Sequence, residues 1–272
     1  VQYFVNHFEL LIALALVLFS IVQMRKDVDR SAKLFLLTVF GTPLMIVAQF
    51  IALQLSHLRP LKYDLFIYEI DSLFGQPSFL LGHLHAQYLI VMTYNSLGMV
   101  IICVCAVYLW HRPEEVGLVL KTFALNLFLA VPLYLLLPVC GPKYAFHGFP
   151  ALPGPVAAHL VTISAAPNGI PSVHTSSALL ILWFLRPWRA GRLFGSVFLA
   201  LTVFATLASG EHYLFDLLCA APYAIGIQWL GAKPVVIPSR RYNDLEPARA
   251  GVSVYVHDSD REAKGSRSRQ GA

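Results

Sequence analysis

Charge is what this sequence has least of. Only 13% of its 272 residues are Asp, Glu, Lys or Arg, about half the share of a soluble domain, so a water-exposed globular fold is excluded for most of the chain. Cysteine is also sparse. The four present, Cys103, Cys105, Cys140 and Cys219, form no Cys-x-x-Cys pair and mostly lie in apolar runs, which argues against a metal site or a disulfide framework and for buried filler. The formal charge of +5 is spread over short loops and a tail. No groove of basic and aromatic residues accompanies it, and nucleic-acid binding is not expected. Basic residues are missing ahead of the first apolar run, Phe8 to Met24, and Arg25-Lys26 follow it instead. A cleaved signal peptide has the reverse order, so this run reads as a transmembrane helix with its N-terminus outside. No internal repeat is visible.

What the sequence has in abundance is long apolar stretches, with 57% of residues hydrophobic. Seven of them, at about 8–24, 34–56, 86–109, 117–138, 172–187, 194–209 and 213–230, approach the ~20 residues that cross a bilayer as helix. They predict an all-α fold, a polytopic transmembrane helical bundle of about six to seven spans. The last three are short but carry Ser176, Ser177, Ala178, Ala200, Ala205, Ala208, Ala220 and Ala221, small residues that let helices approach closely in lipid. Pro132 and Pro222 are tolerable inside spans where neighbouring helices satisfy the freed carbonyls.

Three segments follow: a first helix and short loop over 1–33, a catalytic-type core over 34–231, and a tail over 232–272. The tail is rich in Arg, Ser, Asp and Glu and poor in large apolar residues, so it buries too little to offset its ordering entropy and is expected to be disordered. Its basic residues can touch anionic headgroups, although a solubilising tail is the plainer reading.

Loop charge sets the orientation. Arg25, Lys26, Arg30, Lys33, Arg112, Lys121, Arg186, Arg189 and Arg192 fall on one set of loops, and only Arg59, Lys62 and Lys143 on the other. The positive-inside rule puts the richer set and the tail in the cytoplasm. Loops 57–85 and 139–171, with the helix ends near His174 and His212, then face the non-cytoplasmic side.

Ionisable groups at membrane depth are costly and mark sites. Two clusters stand at those outward ends: Pro171-Ser172-Val173-His174-Thr175 and Gly210-Glu211-His212-Tyr213-Leu214-Phe215-Asp216. His212 and Asp216 are four apart, one above the other on a helix face. A carboxylate on Nδ1–H fixes the tautomer and leaves the Nε2 lone pair available. In the first cluster Ser172 and Thr175 flank His174 at a helix start, where open backbone N–H groups favour an anion such as phosphate. Alone, either cluster reads equally as a structural hydrogen bond or a cap. Together, on one face and separated by one helical hairpin, they read as a site.

These clusters resemble the second and third signature motifs of the type-2 phosphatidic acid phosphatase superfamily, Pro-Ser-Gly-His and Ser-Arg-x5-His-x3-Asp. Pro-Ser-Val-His-Thr and Gly-Glu-His-Tyr-x-x-Asp, with Tyr-Glu-Ile-Asp-Ser-Leu-Phe-Gly upstream, look more like the inositol-phosphoceramide synthase-like, inositolphosphotransferase branch. The resemblance covers most of 34–230. It implies that His212 attacks phosphorus to give a phosphohistidine and that Asp216 orients it. His174 protonates the leaving alkoxide and then deprotonates the acceptor, and Ser172 donates to a phosphoryl oxygen. It implies no metal and no cofactor.

The sequence departs from the superfamily in its cations. No Lys-x6-Arg-Pro occurs, Thr206 stands where the third motif has Arg, and Val173 replaces the Gly between Ser and His. The arginine forks that grip a phosphoryl dianion are absent from their usual places. Lys143, in Cys140-Gly141-Pro142-Lys143-Tyr144, is the replacement expected, with Arg59 and Lys62 weaker candidates. Fewer cations suit a singly charged phosphodiester better than a doubly charged monoester. Asp71 and Asp64, near Tyr63 and Tyr68, are read either as binding acceptor hydroxyls or, preferably, as pairing with Arg59 or Lys62 to hold the loop. Tyr213, beside the nucleophile, reads either way. Tyr144, Phe146 and Phe149 are read as an interfacial belt, and His83, His85, His147 and His159 as solvated or interfacial.

The expected protein is therefore a bilayer-embedded enzyme acting on a lipid phosphate ester. It passes the phosphoryl group to a hydroxyl acceptor (phosphotransferase, inositol-phosphate type) or to water (lipid phosphate or prenyl pyrophosphate phosphatase). The non-enzyme rival is a lipid transporter or scramblase on the same fold, which has no need of Asp four residues after His212.

Overall fold

The computed structural model describes residues 8–56, 61–84, 86–153, 161–162 and 167–232. The tail, Arg59, His85 and His159 lie outside them. Twelve helices are named here in chain order: α1 (Phe8–Gln23), α2 (Val28–Leu36), α3 (Thr42–Ser56), α4 (Asp64–Ser72), α5 (Pro77–Gly82), α6 (Gln87–His111), α7 (Val116–Phe128), α8 (Ala130–Leu136), α9 (Pro142–Ala145), α10 (Val173–Leu185), α11 (Arg189–Ala208) and α12 (Leu214–Ala232). Among the described residues the only strands are β1 (Leu61–Lys62) and β2 (Val161–Thr162), a two-residue antiparallel pair.

Proline accounts for the two interruptions in otherwise continuous spans. A π-helical turn, Leu37–Gly41, joins α2 to α3 just ahead of Pro43; widening the turn keeps the pyrrolidine ring off the carbonyl four residues back. Pro132 likewise sits one turn past the α7–α8 break at Leu129. Across these joints the chain still provides apolar spans over Val28–Ala52 and Pro113–Leu136, beside Gln87–His111, Arg189–Ala208 and Leu214–Ala232. These five are long and apolar enough to cross a bilayer, and α1 and α10 are shorter apolar helices. The protein is thus an integral membrane helical bundle, with a helix in each stretch where the apolar runs predict one. Two of the three late spans are longer than expected, since α11 starts at Arg189 and α12 runs to Ala232. Only α10 is short, at 13 residues or about 20 Å of helix.

The bundle packs α10 against α11 and α12, α6 against α10 and α11, and α7 against α12. Val104, Tyr108, Val119, Phe123, Ile181, Phe184 and Ile227 fill its centre. Gly195 allows the close crossing of α10 and α11, because a Cβ there would collide with the Leu182 backbone. Leu14, Leu18, Leu44, Phe50, Leu193, Ile225 and Trp229 remain exposed on the outside, an apolar girdle that suits lipid and not water. One buried polar network cross-links the helices. Asn126 of α7 donates to Ser177 (2.9 Å) and accepts from Ser176 (2.8 Å), while its carbonyl takes the Tyr223 hydroxyl of α12 (2.6 Å). This network fixes α10, whose first turn carries the Ser172 cluster.

A second core lies at the end of the bundle that carries His174. Ile67, Phe79, Val139, Phe146, Ile170 and Tyr213 are buried together, with Phe146 against Tyr68 and Phe79 at centroid distances of 4.8 and 5.8 Å. Phe146 and Phe149 therefore form no interfacial belt. They anchor α4, α5 and the 139–149 loop, since aromatic rings bury more area inside such a cluster than at a surface.

Candidate functional site

The two histidine clusters meet where the starts of α10 and α12 come together. Ser172 is the N-cap of α10, and its hydroxyl accepts the Thr175 N–H at 3.4 Å, one of the donors that a helix start leaves open. Its own N–H donates to the Asp216 carbonyl at 3.4 Å, so the clusters share a backbone link. The Thr175 hydroxyl is buried with no hydrogen-bond partner among the described residues. His174, on the first turn of α10, stacks on Tyr94 of α6 with ring centroids 3.9 Å apart.

In the second cluster Nδ1 of His212 lies 3.3 Å from Oδ2 of Asp216. Both are buried, at 3% and 0% side-chain exposure, so their pairing is shielded from water and salt. The same Oδ2 accepts the Tyr213 N–H at 2.9 Å, the return half of a capping arrangement at the start of α12. Local sequence accounts for that much: an Asp on the first turn both caps the helix and holds the preceding histidine. Ser78 of α5 adds a bond from its hydroxyl to the His212 carbonyl at 2.8 Å.

Asp64 and Asp71 turn towards backbone N–H groups. Asp64 accepts from the N–H of Cys140 (3.1 Å to each oxygen) and Gly141 (2.9 Å), and from the Tyr213 hydroxyl (3.2 Å). Asp71 accepts the Phe215 N–H at 3.1 Å and caps α12 from another helix. Burial pushes both carboxyls up to about 6, against the opposing pull of those N–H bonds. Asp71 is fully buried, and so are Asp64, Tyr213 and Ser172, whereas Lys62 is 2% exposed.

Lys143, half exposed, lies across the turn before His212. Its ammonium is 3.2 Å from Glu211, and its backbone N–H donates to the Gly210 carbonyl at 2.9 Å. Tyr144 donates to both Glu211 oxygens at 2.9 Å, and burial together with that carboxylate holds its hydroxyl well above the ordinary phenol range. The approach depends on Gly141, at φ +105°, where any Cβ would collide with the Glu211 carbonyl. Thr206 bonds back to the Thr202 and Val203 carbonyls of its own helix, as buried hydroxyls in membrane helices do.

The structure thus gathers His212, Asp216, His174, Ser172, Thr175, Tyr213 and Lys143 at one end of the bundle, with Asp71 beneath them; Arg59 lies outside the described residues. His83 and His147 are exposed. Sequence reasoning missed Tyr94, Ser78 and the role of Glu211 towards Lys143. The first two sit in segments with no partner nearby in sequence, so no spacing signal could reveal them, whereas Glu211 is adjacent to His212 and was open to a charge argument. No group of three His, Cys, Asp or Glu side chains among the described residues is arranged to hold a metal ion.

A family model described as the PAP2 superfamily matches residues 69–230, more than half of the chain and the whole of both histidine clusters. No curated protein and no solved structure matches.

Proposed function

Since the chain belongs to the PAP2 superfamily, whose members are lipid phosphatases and phosphotransferases, we propose that it is a membrane phosphotransferase that moves a phosphorylated headgroup, of inositol-phosphate type, from a lipid to a hydroxyl acceptor through a histidine intermediate. The observation that carries this reading is the buried pair of His212 Nδ1 and Asp216 Oδ2 at 3.3 Å, beside the Ser172 cap.

Asp216 accepts a hydrogen bond from Nδ1–H, without taking the proton, and steadies the imidazolium that forms. The Nε2 lone pair attacks phosphorus, an N–P bond forms and the P–O bond to the lipid alkoxide breaks. His174 gives its proton to that alkoxide. The acceptor hydroxyl then returns a proton to His174 as its oxygen attacks phosphorus, and the N–P electrons go back to Nε2. Ser172, Thr175 and the open N–H groups of α10 face the phosphoryl oxygens, with Lys143 as the nearby cation and Tyr213 as a support of the His212 turn. The reaction takes place on the non-cytoplasmic side, with the tail in the cytoplasm.

Transfer is favoured over hydrolysis by the same charge count that favours a diester. With Thr206 in the arginine position, Lys143 is the cation that the described residues bring to the turn before His212, and a single charge needs less neutralisation than two. The test offers labelled phosphatidylinositol, phosphatidic acid and prenyl pyrophosphate to purified protein, with and without an alcohol acceptor, for wild type and His212→Ala. Headgroup moved to the alcohol by wild type alone supports transfer, and free phosphate from wild type alone makes the protein a phosphatase. Equal signal in both proteins ends the histidine mechanism and leaves a lipid transporter as the better account.

A further inference from the structure

Glu211 carries no role in the reaction above, yet it is the carboxylate nearest in sequence to the proposed nucleophile. It also occupies the cation that a phosphate needs. Exposed ion pairs are usually loose and contribute little, but this one is built in. The Lys143 N–H is tied to Gly210, Tyr144 grips both carboxylate oxygens, and the backbones at Gly141 and Glu211 touch too closely to admit a Cβ. Glu211 is only 23% exposed.

We infer that Glu211 is a specificity-determining residue that selects substrates by phosphate charge: with Lys143 already neutralised, a phosphodiester monoanion is accepted and a phosphomonoester dianion is turned away. This deepens the phosphotransferase reading and rests on it for the location of the phosphate. The physical cause is plain. A second negative charge brought within a few ångströms of a half-buried carboxylate meets repulsion that solvent only partly screens, and specificity often comes from such a repulsive element. A passive clasp, in which Glu211 only ties the 140–144 loop down, is the competing account, and Tyr144 separates the two. Tyr144→Phe removes the clasp bond but keeps the charge, whereas Glu211→Gln removes the charge.

The experiment measures binding of two soluble probes to the full-length purified protein at pH 8: glycerol phosphate, a dianion, and dimethyl phosphate, a monoanion. Glu211→Gln is expected to raise affinity for glycerol phosphate relative to dimethyl phosphate by about tenfold, and Tyr144→Phe to leave that ratio at the wild-type value. A ratio unchanged in Glu211→Gln, an equal change in Tyr144→Phe, or no binding of either probe to any of the proteins overturns the inference. Phosphatidylinositol turnover is read separately on the same samples. Its absence alongside the expected ratio change counts against the transfer reaction and not against the selector.

Discussion

The Tyr213 hydroxyl reaches Asp64 at 3.2 Å, across 149 residues of chain, and ties the turn after His212 to the start of α4. Asp71, two helical turns further along α4, holds the Phe215 N–H at 3.1 Å. One short helix therefore braces the reactive turn from both sides, through carboxylates rather than through packing alone.

That bracing has a pH signature. Burial raises the Asp71 carboxyl from its ordinary 3.8 to about 6, so the folded protein holds a proton there that the unfolded chain has released. The contribution to stability is full below about pH 4 and is lost as pH rises through about 6. Oδ2 of Asp71 has no hydrogen-bond partner among the described residues, and an amide takes its place without charge. Asp71→Asn is expected to match or exceed wild-type stability at pH 7.5, by about 1–3 kcal/mol, and to flatten the fall in Tm between pH 4 and 7. Thermal unfolding in detergent at both pH values checks it; a variant less stable than wild type at pH 7.5 counts against this account.

The roles proposed for His212 and Asp216 separate kinetically. His212→Ala is expected to abolish turnover and covalent capture of labelled phosphate. Asp216→Asn leaves the nucleophile in place with a weakened tautomer preference, so its kcat is expected to drop about 100-fold or more while some labelled protein still accumulates. Acid-labile, base-stable label recovered on the protein is the measurement.

His174 is expected to matter only where a poor leaving group needs its proton. With a nitrophenyl phosphodiester, whose leaving group departs unprotonated, His174→Gln is expected to form the covalent intermediate near the wild-type rate and then stall before transfer. A burst of nitrophenol without steady turnover demonstrates it. Loss of the burst itself assigns His174 to binding or structure instead.

Gly141→Ala tests the approach of the Lys143 loop. At φ +105°, with the Glu211 carbonyl where a Cβ belongs, alanine is expected to cost about 1–3 kcal/mol and to separate Lys143 from Glu211. Gly148→Ala is also strained, at φ +88°, but has open space around its Cβ position. It serves as the matched control, and a smaller loss of Tm there isolates the collision from the backbone strain.

Sequence alone determined that the chain is a membrane bundle, because apolar runs of helical length with few charges have no other stable arrangement in lipid. It also made the His212–Asp216 pair and the Ser172 cap legible, since both are contacts between residues three or four apart at a helix start, although His212 lies just ahead of α12, which begins at Leu214, and is held by a capping Asp216 rather than stacked on the helix face. What it left open was every contact between segments distant in the chain. Phe146 reads as a belt residue until the cluster of Tyr68 and Phe79 encloses it, and Asp64 and Asp71 read as loop acids until the N–H groups of Cys140, Gly141 and Phe215 are seen to point at them. Tyr94 gains its meaning only by stacking on His174, 80 residues away. Local hydrogen bonding follows from residue spacing; which buried carboxylate meets which orphan N–H depends on how the helices pack, and only the tertiary structure decided that.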